Sequence, residues 1–376
     1  MKVLQLGKFY PIVGGVEKVM YDLMEGLSSD GVQCDMLCTH AAVGEPKAVI
    51  RLNDNASIIC VKAIAKKFAT MISPQMISEL HRRCQDYDII HVHHPDPMAA
   101  VALLLSGYQG KVVLHWHSDI QKQKLLLQLY MPLQRWLIRR ADVIVGTTPV
   151  YLKESPHLAT VQDKCVALPI GIEPMRWNEQ GVEVIRRRYA GKKIIFSLGR
   201  LVHYKGCRYL IDAAQYLPDD VVVLIGGSGP LRDELKEQIA DLHLANKVKL
   251  LGRVSDDDLP NYFKACDLFC LSSIQKTEAF AIVQLEAMSC GKPIVATKIP
   301  GSGVSWVNAE GISGKNVPIC DGRALAEAME QVLNDSKLYE RLSAGATNRY
   351  QSSFRLEHMI SNCKDIYRNV LVSVKS

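Results

Sequence analysis

Two carboxylates in the segment KTEAFAIVQLEAMSCGKPIVAT are the strongest candidates for chemistry, because they lie eight residues apart beside an apolar run. We expect Glu278 at the start of a helix and Glu286 on the same helix, about 12 Å further along its axis. The N–H groups of residues 279–282 would then form a first turn without intrahelical acceptors. One ligand could therefore meet a carboxylate, an anion-binding helix end and a second carboxylate. A nucleotide-sugar has this order of groups: sugar hydroxyls, diphosphate and ribose hydroxyls.

Both carboxylates also have purely structural explanations. Glu278 could be a first-turn acid that stabilises the helix dipole, and Glu286 could be a solvated helix residue. The second explanation is weakened because Glu286 is flanked by Leu285, Ala287 and Met288. An unpaired carboxylate in such an apolar stretch is costly.

Two further segments could bind an anion. The stretch SLGRLVHYKG places Arg200 and Lys205 in one loop after an apolar run, where each contact to a diphosphate would contribute roughly 1.5–3 kcal/mol. Charges are common in loops, so this pair alone is a weak indication. Near the N-terminus, Gly14 and Gly15 in FYPIVGGVEKV would let helix-start amides approach an anion closely. A plain tight turn between a strand and a helix explains these glycines equally well.

The elements that position these residues follow from the alternation of short Val- and Ile-rich runs with helical patterns. Runs that are apolar on both faces are typical of parallel strands covered by helices. We therefore predict an α/β protein of two doubly wound domains, with ligands at the carboxyl ends of the strands. The predicted strands are VLQLG, CDMLC, SIICV, DIIHVHH, KVVLHWH, DVIVGTT, KCVALPI, KIIFSLGR, VVVLIGG, KVKLLG, LFCLSS and PIVAT.

Domain boundaries are predicted from the break at LPIGIEPMRWNEQ, where Pro169, Gly171 and Pro174 interrupt the pattern. The first domain would span residues 1–172 and the second residues 173–352. Residues 353–376 would form a helix that crosses back to the first domain.

Composition excludes several classes of protein. The chain has 376 residues, 48% of them hydrophobic and 22% charged, so it is not a disordered protein. A net charge of +6 is too mild to predict nucleic-acid binding. The longest apolar run, Met98 to Leu105, is far shorter than the roughly 20 residues of a membrane span. With no signal-like start and eleven cysteines without a C-x-x-C pair, we expect a cytoplasmic protein with buried thiols.

The chain resembles the retaining glycosyltransferases of family 4 over nearly its whole length. The resemblance is carried by the combination of EAFAIVQLE, GRLVHYKG, IGGSGPL, LGRV and the N-terminal GGVE. The resemblance implies the GT-B fold, in which two Rossmann-like domains flank a cleft. It implies that Arg200 and Lys205 hold the donor diphosphate, that Glu278 holds the donor sugar and that Glu286 binds the ribose. It also implies that His117 lies beside the donor sugar and that the backbone near Val254 contacts the base. Further donor contacts would come from the backbone amides of Gly14, Gly15, Phe280, Ala281, Ile282 and Val283.

One position departs from the family pattern. Ala281 stands where the family usually has glycine, and we expect it to tighten the sugar pocket slightly. The resemblance further implies attack by the acceptor hydroxyl on the face that the diphosphate leaves, with retention of configuration. Arg200 and Lys205 would stand in place of a metal, so we expect no metal and no other cofactor.

Four rival interpretations are weighed against the transferase. HVHHPD and HWHSD suggest a metal cluster, but the H-x-H-x-D-H pattern is not matched, and His115 is interpreted as a packing residue. VVVLIGGSGPLR lacks the third glycine of a dinucleotide site. A nucleotide-sugar epimerase of the same fold and a nonenzymatic sugar-nucleotide-binding module remain as alternatives. Slow donor hydrolysis without acceptor would distinguish a transferase from a binding module.

The acceptor side is predicted from two segments that mix basic and apolar residues. These segments suit peripheral contact with the inner leaflet of the cytoplasmic membrane and a lipid-linked glycan acceptor. Core-facing helices with solvated Lys and Arg side chains are a somewhat better explanation for each segment. The stretch KIPGSGVSWV resembles O-antigen and capsule enzymes, which implies GDP-mannose or a UDP-hexose as the donor and a surface polysaccharide as the product. The residues concerned are Lys62, Lys66, Lys67, Phe68, Met71 and Ile72 in the first segment and Arg135, Trp136, Arg139 and Arg140 in the second.

Overall fold

A computed structural model describes residues 1–67, 70–120 and 124–372, with the backbone alone for residues 124–127. The chain divides into two compact units. The first comprises Met1–Ile170 together with the residues from Leu356 onward, and the second comprises Gly171–Arg355.

The first unit contains ten strands and six helices within the described residues. Its strands are β1 (Lys2–Tyr10), β2 (Gln33–His40), β3 (Ala48–Asn53), β4 (Ala56–Val61), β5 (Ala65–Lys67), β6 (Thr70–Ile72), β7 (Ile89–His94), β8 (Lys111–Trp116), β9 (Val143–Gly146) and β10 (Cys165–Ala167). Its first helices are α1 (Gly15–Ser29), α2 (Pro74–Arg83), α3 (Pro97–Ser106), α4 (Lys124–Arg140) and α5 (Pro149–Glu154).

The second unit is a parallel sheet covered by helices. Its strands are β11 (Lys193–Leu198), β12 (Val221–Gly226), β13 (Val248–Gly252), β14 (Leu268–Leu271), β15 (Ile294–Thr297) and β16 (Gly314–Val317). Its helices are α6 (Glu179–Arg188), α7 (Cys207–Ala214), α8 (Arg232–Asp241), α9 (Leu259–Ala265), α10 (Val283–Ser289), α11 (Val304–Val307), α12 (Gly322–Asn334) and α13 (Ser336–Arg349). The terminal helix α14 (Leu356–Val372) belongs to the first unit.

Each apolar run predicted as a strand forms one, and the doubly wound α/β fold is confirmed. The second sheet has the order β13-β12-β11-β14-β15-β16 and all its strands are parallel. The first has the order β10-β9-β8-β7-β1-β2-β4-β3, in which β3 runs antiparallel to β4. The prediction that the first sheet is entirely parallel is therefore wrong. Strand β3 is exposed along much of its length, so it lacks the two-sided apolar signal of a buried strand.

Local sequence explains several boundaries. Strand β12, VVVLIG, is buried along its whole length, as expected of a central strand covered on both faces. Helices α2, α3 and α5 each begin with proline, whose missing N–H is not needed there. The preceding Ser73, Asp96 and Thr148 accept hydrogen bonds from first-turn amides, and so cap these helices.

Helix α14 packs closely on α1. A Cβ added at Gly26 of α1 would lie 2.5 Å from Ile360 Cδ1, so only glycine permits this approach. The buried side chains of α14 include Ile360, Cys363 and Tyr367.

The basic segment around Lys66 forms the β5–β6 hairpin followed by α2. Lys62, Lys66 and Lys67 are exposed while Met71 is buried, and Phe68 lies outside the described residues. Among the helices that the structure describes, none is long and apolar enough to cross a membrane.

Candidate active site

The loop after β11 carries the two predicted phosphate-binding cations. It runs against the loop after β12, where Gly227 has a φ of 128°. A Cβ at Gly227 would lie only 1.9 Å from the carbonyl oxygen of Gly199, so glycine is required for the approach. Arg200 is exposed in this arrangement, whereas the side chain of Lys205 is 13% exposed.

Lys205 and Glu278 form an ion pair, with Nζ 2.5 Å from Oε2. The Ser273 hydroxyl donates to the same carboxylate oxygen over 2.8 Å. Burial alone would lower the pKa of Lys205, but the nearby Glu278 carboxylate outweighs it and the pKa is raised. The ammonium is therefore fixed as a buried cation, and Glu278 is fixed as its partner.

The expectation that Glu278 lies at the start of a helix is wrong. Helix α10 begins at Val283, so Glu278 belongs to the preceding loop and no helical rise separates it from Glu286. The reason is the backbone at Ala281, whose φ of 63° is left-handed and cannot continue a right-handed helix. This conformation gives a physical reason for the glycine that the family usually has here.

The loop from Glu278 to Ile282 presents unused backbone donors. The amides of Phe280, Ala281 and Ile282 donate to no acceptor in the described part of the chain. Below them, Gln284 N donates to the carbonyl of Ala281 over 3.0 Å, which joins the loop to α10. Such a run of amides is suited to binding an oxygen-rich anionic ligand.

Several residues that sequence reasoning missed hold this loop in place. Gly303 N donates to the carbonyl of Ala279 over 2.9 Å, and the Ser302 hydroxyl donates to that of Glu278. Gln284 Nε2 donates to the carbonyl of Phe280 over 3.0 Å. From the sequence, only Ser273 could have been proposed as a site residue, because it comes soon after the apolar run of β14. The others become visible only once the loops are folded together.

Glu286 has a buried Oε2 atom without a hydrogen-bond partner in the described structure. Burial raises the pKa of Glu286 to about 7; Lys205 opposes the shift and Asp256 adds to it. A carboxylate so placed can accept hydrogen bonds from vicinal hydroxyls, which would satisfy the buried oxygen. The hypothesis of a solvated surface carboxylate is therefore not supported.

Val254 lies after β13, half-buried beside the end of β12. Its Cγ2 would be 3.1 Å from a Cβ added at Gly226. The structure thus places Val254, Lys205, Glu278 and Glu286 at the carboxyl ends of neighbouring strands of the second unit.

In the first unit, Gly14 and Gly15 lie at the start of α1, and both are exposed. Of the residues that the structure describes, none caps this helix end with its side chain, and a Cβ at Gly14 would lie 2.8 Å from Glu17 Oε2. The geometry therefore leaves first-turn amides available to an anion, as one of the two hypotheses for these glycines requires.

His117 follows β8 and is almost fully buried among other histidines. Its Nε2 lies 2.9 Å from His93 Nδ1, and its ring stacks on His115 with centroids 3.9 Å apart. Burial lowers the pKa of His117 well below its usual value, so the ring is neutral. The nearby Asp96 and Asp119 have structural partners, namely the α3 amides and the Trp116 indole.

Comparison with known proteins identifies the class. The fold matches a crystal structure of Anabaena HepE in complex with UDP, with a TM-score of 0.78, 19% identity, and coverage of 98% of this chain and 100% of that chain. With its two Rossmann-like units, the protein has the GT-B fold of glycosyltransferases.

Sequence comparison then defines the family. Residues 13–176 match the model "Glycosyltransferase Family 4", and residues 183–349 match "Glycosyl transferases group 1". The O-antigen chain mannosyltransferase C of Escherichia coli is 32% identical over 99% of this chain and 100% of that protein. D-rhamnosyltransferase WbpZ of Pseudomonas aeruginosa is 29% identical over 94% of this chain and 92% of that protein. The chain therefore belongs to glycosyltransferase family 4, which confirms the family predicted from its motifs.

Proposed function

We propose that the protein transfers a hexose from a nucleoside-diphosphate sugar, GDP-mannose or a UDP-hexose, to a hydroxyl of a lipid-linked glycan in surface-polysaccharide synthesis. One observation carries this proposal. A single segment, Glu278 to Glu286, presents a paired carboxylate, three amides without a protein acceptor among the described residues, and a carboxylate whose buried oxygen has no partner there. The groups of a nucleotide-sugar follow the same order.

Each part of the donor has a proposed partner in the second unit. Glu286 accepts from the ribose hydroxyls, and the backbone near Val254 contacts the base. Arg200 and Lys205 bind the diphosphate; an ammonium has three donors, so Lys205 can keep Glu278 while it contacts phosphate. The amides of Phe280, Ala281, Ile282 and Val283 contact phosphate and sugar.

The remaining donor contacts complete the proposal. Glu278 accepts from a hydroxyl of the sugar, and Gly14 and Gly15 offer first-turn amides of α1 to the phosphate. His117 hydrogen-bonds a hydroxyl of the transferred sugar. These roles were implied by the family resemblance, and the geometry of each group is compatible with them.

The proposed chemistry is transfer with retention and without a metal. The acceptor hydroxyl attacks on the face from which the diphosphate leaves. Negative charge grows on the leaving phosphate, where the two cations and the amide donors of the 280–283 segment stabilise it without reorganisation. Unchanged transfer after incubation with EDTA would agree with this mechanism. Activity lost on chelation and restored by Mg²⁺ or Mn²⁺ would contradict it.

A lipid-linked acceptor is supported by the surface of the first unit. Around the β5–β6 hairpin the exposed Lys62, Lys66 and Lys67 lie close in sequence to Ile64, which is 59% exposed. On α4, Arg135 and Arg139 are exposed and Leu129 is 80% exposed, whereas Arg140 donates to backbone carbonyls. Exposed bases beside apolar side chains suit an anionic membrane surface, so we propose peripheral contact with the inner leaflet.

The donor assignment is tested by thermal-shift measurements with GDP, UDP, ADP, dTDP and their sugars. We expect one nucleoside diphosphate and its sugar to raise the Tm of the wild type, because binding stabilises the folded state. Glu286→Gln should lose most of this shift. Glu340→Gln, an exposed carboxylate of α13, is the matched control and should keep it. A shift of equal size in both variants would contradict the ribose assignment.

A further inference from the structure

The histidines of β7 and β8 belong to a hydrogen-bonded chain that reaches the terminal helix. His117 Nε2 lies 2.9 Å from His93 Nδ1, and His93 Nε2 lies 2.7 Å from Gln5 Oε1. Gln5 Nε2 donates to Tyr367 Oη over 3.1 Å, and that oxygen lies 2.6 Å from His91 Nδ1. Gln5, His91, His93 and Tyr367 are each 0% exposed.

The amide of Gln5 fixes the direction of its own hydrogen bonds and, through His93, that of the bond between His93 and His117. Its Oε1 can only accept, so His93 Nε2 must carry a proton. Burial lowers the pKa of His91, His93 and His117 well below the usual value, and each ring therefore carries a single proton. His93 Nδ1 is then an acceptor, and the proton between the two rings belongs to His117 Nε2.

We propose that Gln5 and His93 act as positioning residues that hold His117 as its Nε2–H tautomer, so that Nδ1 can only accept a hydrogen bond from a ligand hydroxyl. The contact of His117 with the sugar rests on the proposed function, whereas the tautomer itself does not. The chain extends to Tyr367, so α14 helps to set the state of a site residue.

A metal is a poor alternative occupant of this cluster. The ring nitrogens of His91, His93 and His115 lie within 4.8 Å of one another. However, the His91 ring is within 18° of parallel to that of His93 and within 15° of that of His115, at centroid distances of 4.7 and 5.3 Å. Lone pairs lie in the ring planes, so nearly parallel rings at this spacing do not direct them to one point about 2.0–2.1 Å away. Both nitrogens of His93 are also engaged in hydrogen bonds.

The tautomer of His117 determines which nucleotide-sugar analogues the site can distinguish. A hydroxyl facing Nδ1 must donate its proton, so replacing that hydroxyl with fluorine removes the hydrogen bond as completely as replacing it with hydrogen. Both analogues should bind the wild type about tenfold more weakly than the donor, at the same sugar position. Were Nδ1 protonated, the fluorine analogue would retain part of the affinity that the deoxy analogue loses.

The direct test is long-range ¹H–¹⁵N NMR of the full chain labelled with ring-¹⁵N histidine, recorded at pH 7 without donor. We expect protonated Nε2 and unprotonated Nδ1 for two neutral histidines, His93 and His117, with the signals assigned from His93→Gln and His117→Gln. Gln5→Met should leave His117 in a mixture of tautomers, whereas Gln134→Met, which removes another buried glutamine of this unit, should leave the tautomer unchanged.

Three results would overturn the inference. They are a protonated Nδ1 on His117, a protonated Nδ1 on His93, and an unchanged His117 tautomer in Gln5→Met. The measurement contains no donor, so an absence of sugar transfer would refute the proposed function and leave the tautomer result standing.

Discussion

At the residue scale, the two glutamates of the proposed donor site have opposite electrostatic surroundings. Glu278 is held by the Lys205 ammonium and the Ser273 hydroxyl, so its charge is compensated within the protein. Within the described part of the chain Glu286 has a buried oxygen without a partner, and burial raises its pKa to about 7. The first is suited to holding a fixed charge near the reacting sugar, and the second gains most from a ligand that donates hydrogen bonds.

We predict that Glu278→Gln and Glu286→Gln separate kcat from KM. Glu278→Gln removes the charge that pairs with Lys205 beside the proposed reacting carbon, so kcat should fall by about two orders of magnitude. Glu286→Gln loses contacts that are similar in ground and transition states, so the donor KM should rise about tenfold at nearly constant kcat. Steady-state kinetics with varied donor measure both effects. An equal fall of kcat in the two variants would show that they do not divide the donor in this way.

We also predict that nucleoside diphosphate binding releases a proton near pH 7. Burial raises the pKa of Glu286 from 4.5 to about 7, so at pH 7 the group is partly protonated. Ribose hydroxyls that donate to the carboxylate favour its ionised form, which lowers the pKa and expels about half a proton at pH 7. Affinity should accordingly rise between pH 6 and pH 8.

Calorimetry in buffers of different ionisation enthalpy measures this proton. The diphosphate has its own proton equilibrium, so the informative quantity is the difference between wild type and Glu286→Gln. Identical proton release in both proteins would remove Glu286 from the binding site.

Without donor, the raised pKa of Glu286 has the opposite consequence for folding. The contribution of Glu286 to stability is greatest below pH 4.5 and is lost as the pH rises to about 7.

At the element scale, the short helix α10 depends on the loop that precedes it. The left-handed Ala281 interrupts right-handed backbone just before α10, and the amides of residues 280–282 donate to no acceptor in the described part of the chain. A left-handed alanine costs roughly 1–2 kcal/mol relative to ordinary backbone, and the contacts of Ser302, Gly303 and Gln284 hold it in place.

Ala281→Gly should therefore stabilise the protein by about 0.5–1 kcal/mol, because relief of strain exceeds the added flexibility of the unfolded chain. Urea unfolding of the second unit is the measurement. Ala279→Gly in the same loop, where φ is not positive, is the matched control and should be destabilising. Destabilisation of similar size in both variants would mean that Ala281 is not strained.

Much of the element pattern could be predicted from the sequence, and the failures have physical causes. Buried parallel strands such as β12 carry a two-sided apolar signal, and each predicted strand is present. The exposed β3 and the three-residue β5 and β6 carry no such signal. The spacing of Glu278 and Glu286 correctly indicated one segment but wrongly indicated one helix, because a left-handed residue is not visible as helical periodicity.

At the scale of the whole molecule, residues distant in sequence complete each unit. In the second unit, Lys205 and Glu278 come from separate strand-end loops and meet in an ion pair. In the first, Tyr367 of the terminal helix joins the hydrogen-bonded chain that ends at His117. The family resemblance implied that Lys205 and Glu278 contact one donor, but not that they form an ion pair. Nothing in the local pattern around Gln5 or Tyr367 indicated their hydrogen bond, because it depends on how α14 packs.

The measurement that tests the central claim most directly is chromatography of the nucleotides formed from GDP-mannose and a panel of UDP-hexoses, without acceptor. We predict slow release of nucleoside diphosphate and free hexose from one donor, slowed at least tenfold in Lys205→Ala, because the leaving phosphate loses its buried cation. Donor that binds but stays intact would indicate a binding module, and donor whose hexose changes configuration while still attached to the nucleotide would indicate an epimerase. Either result would contradict sugar transfer as the function of this site.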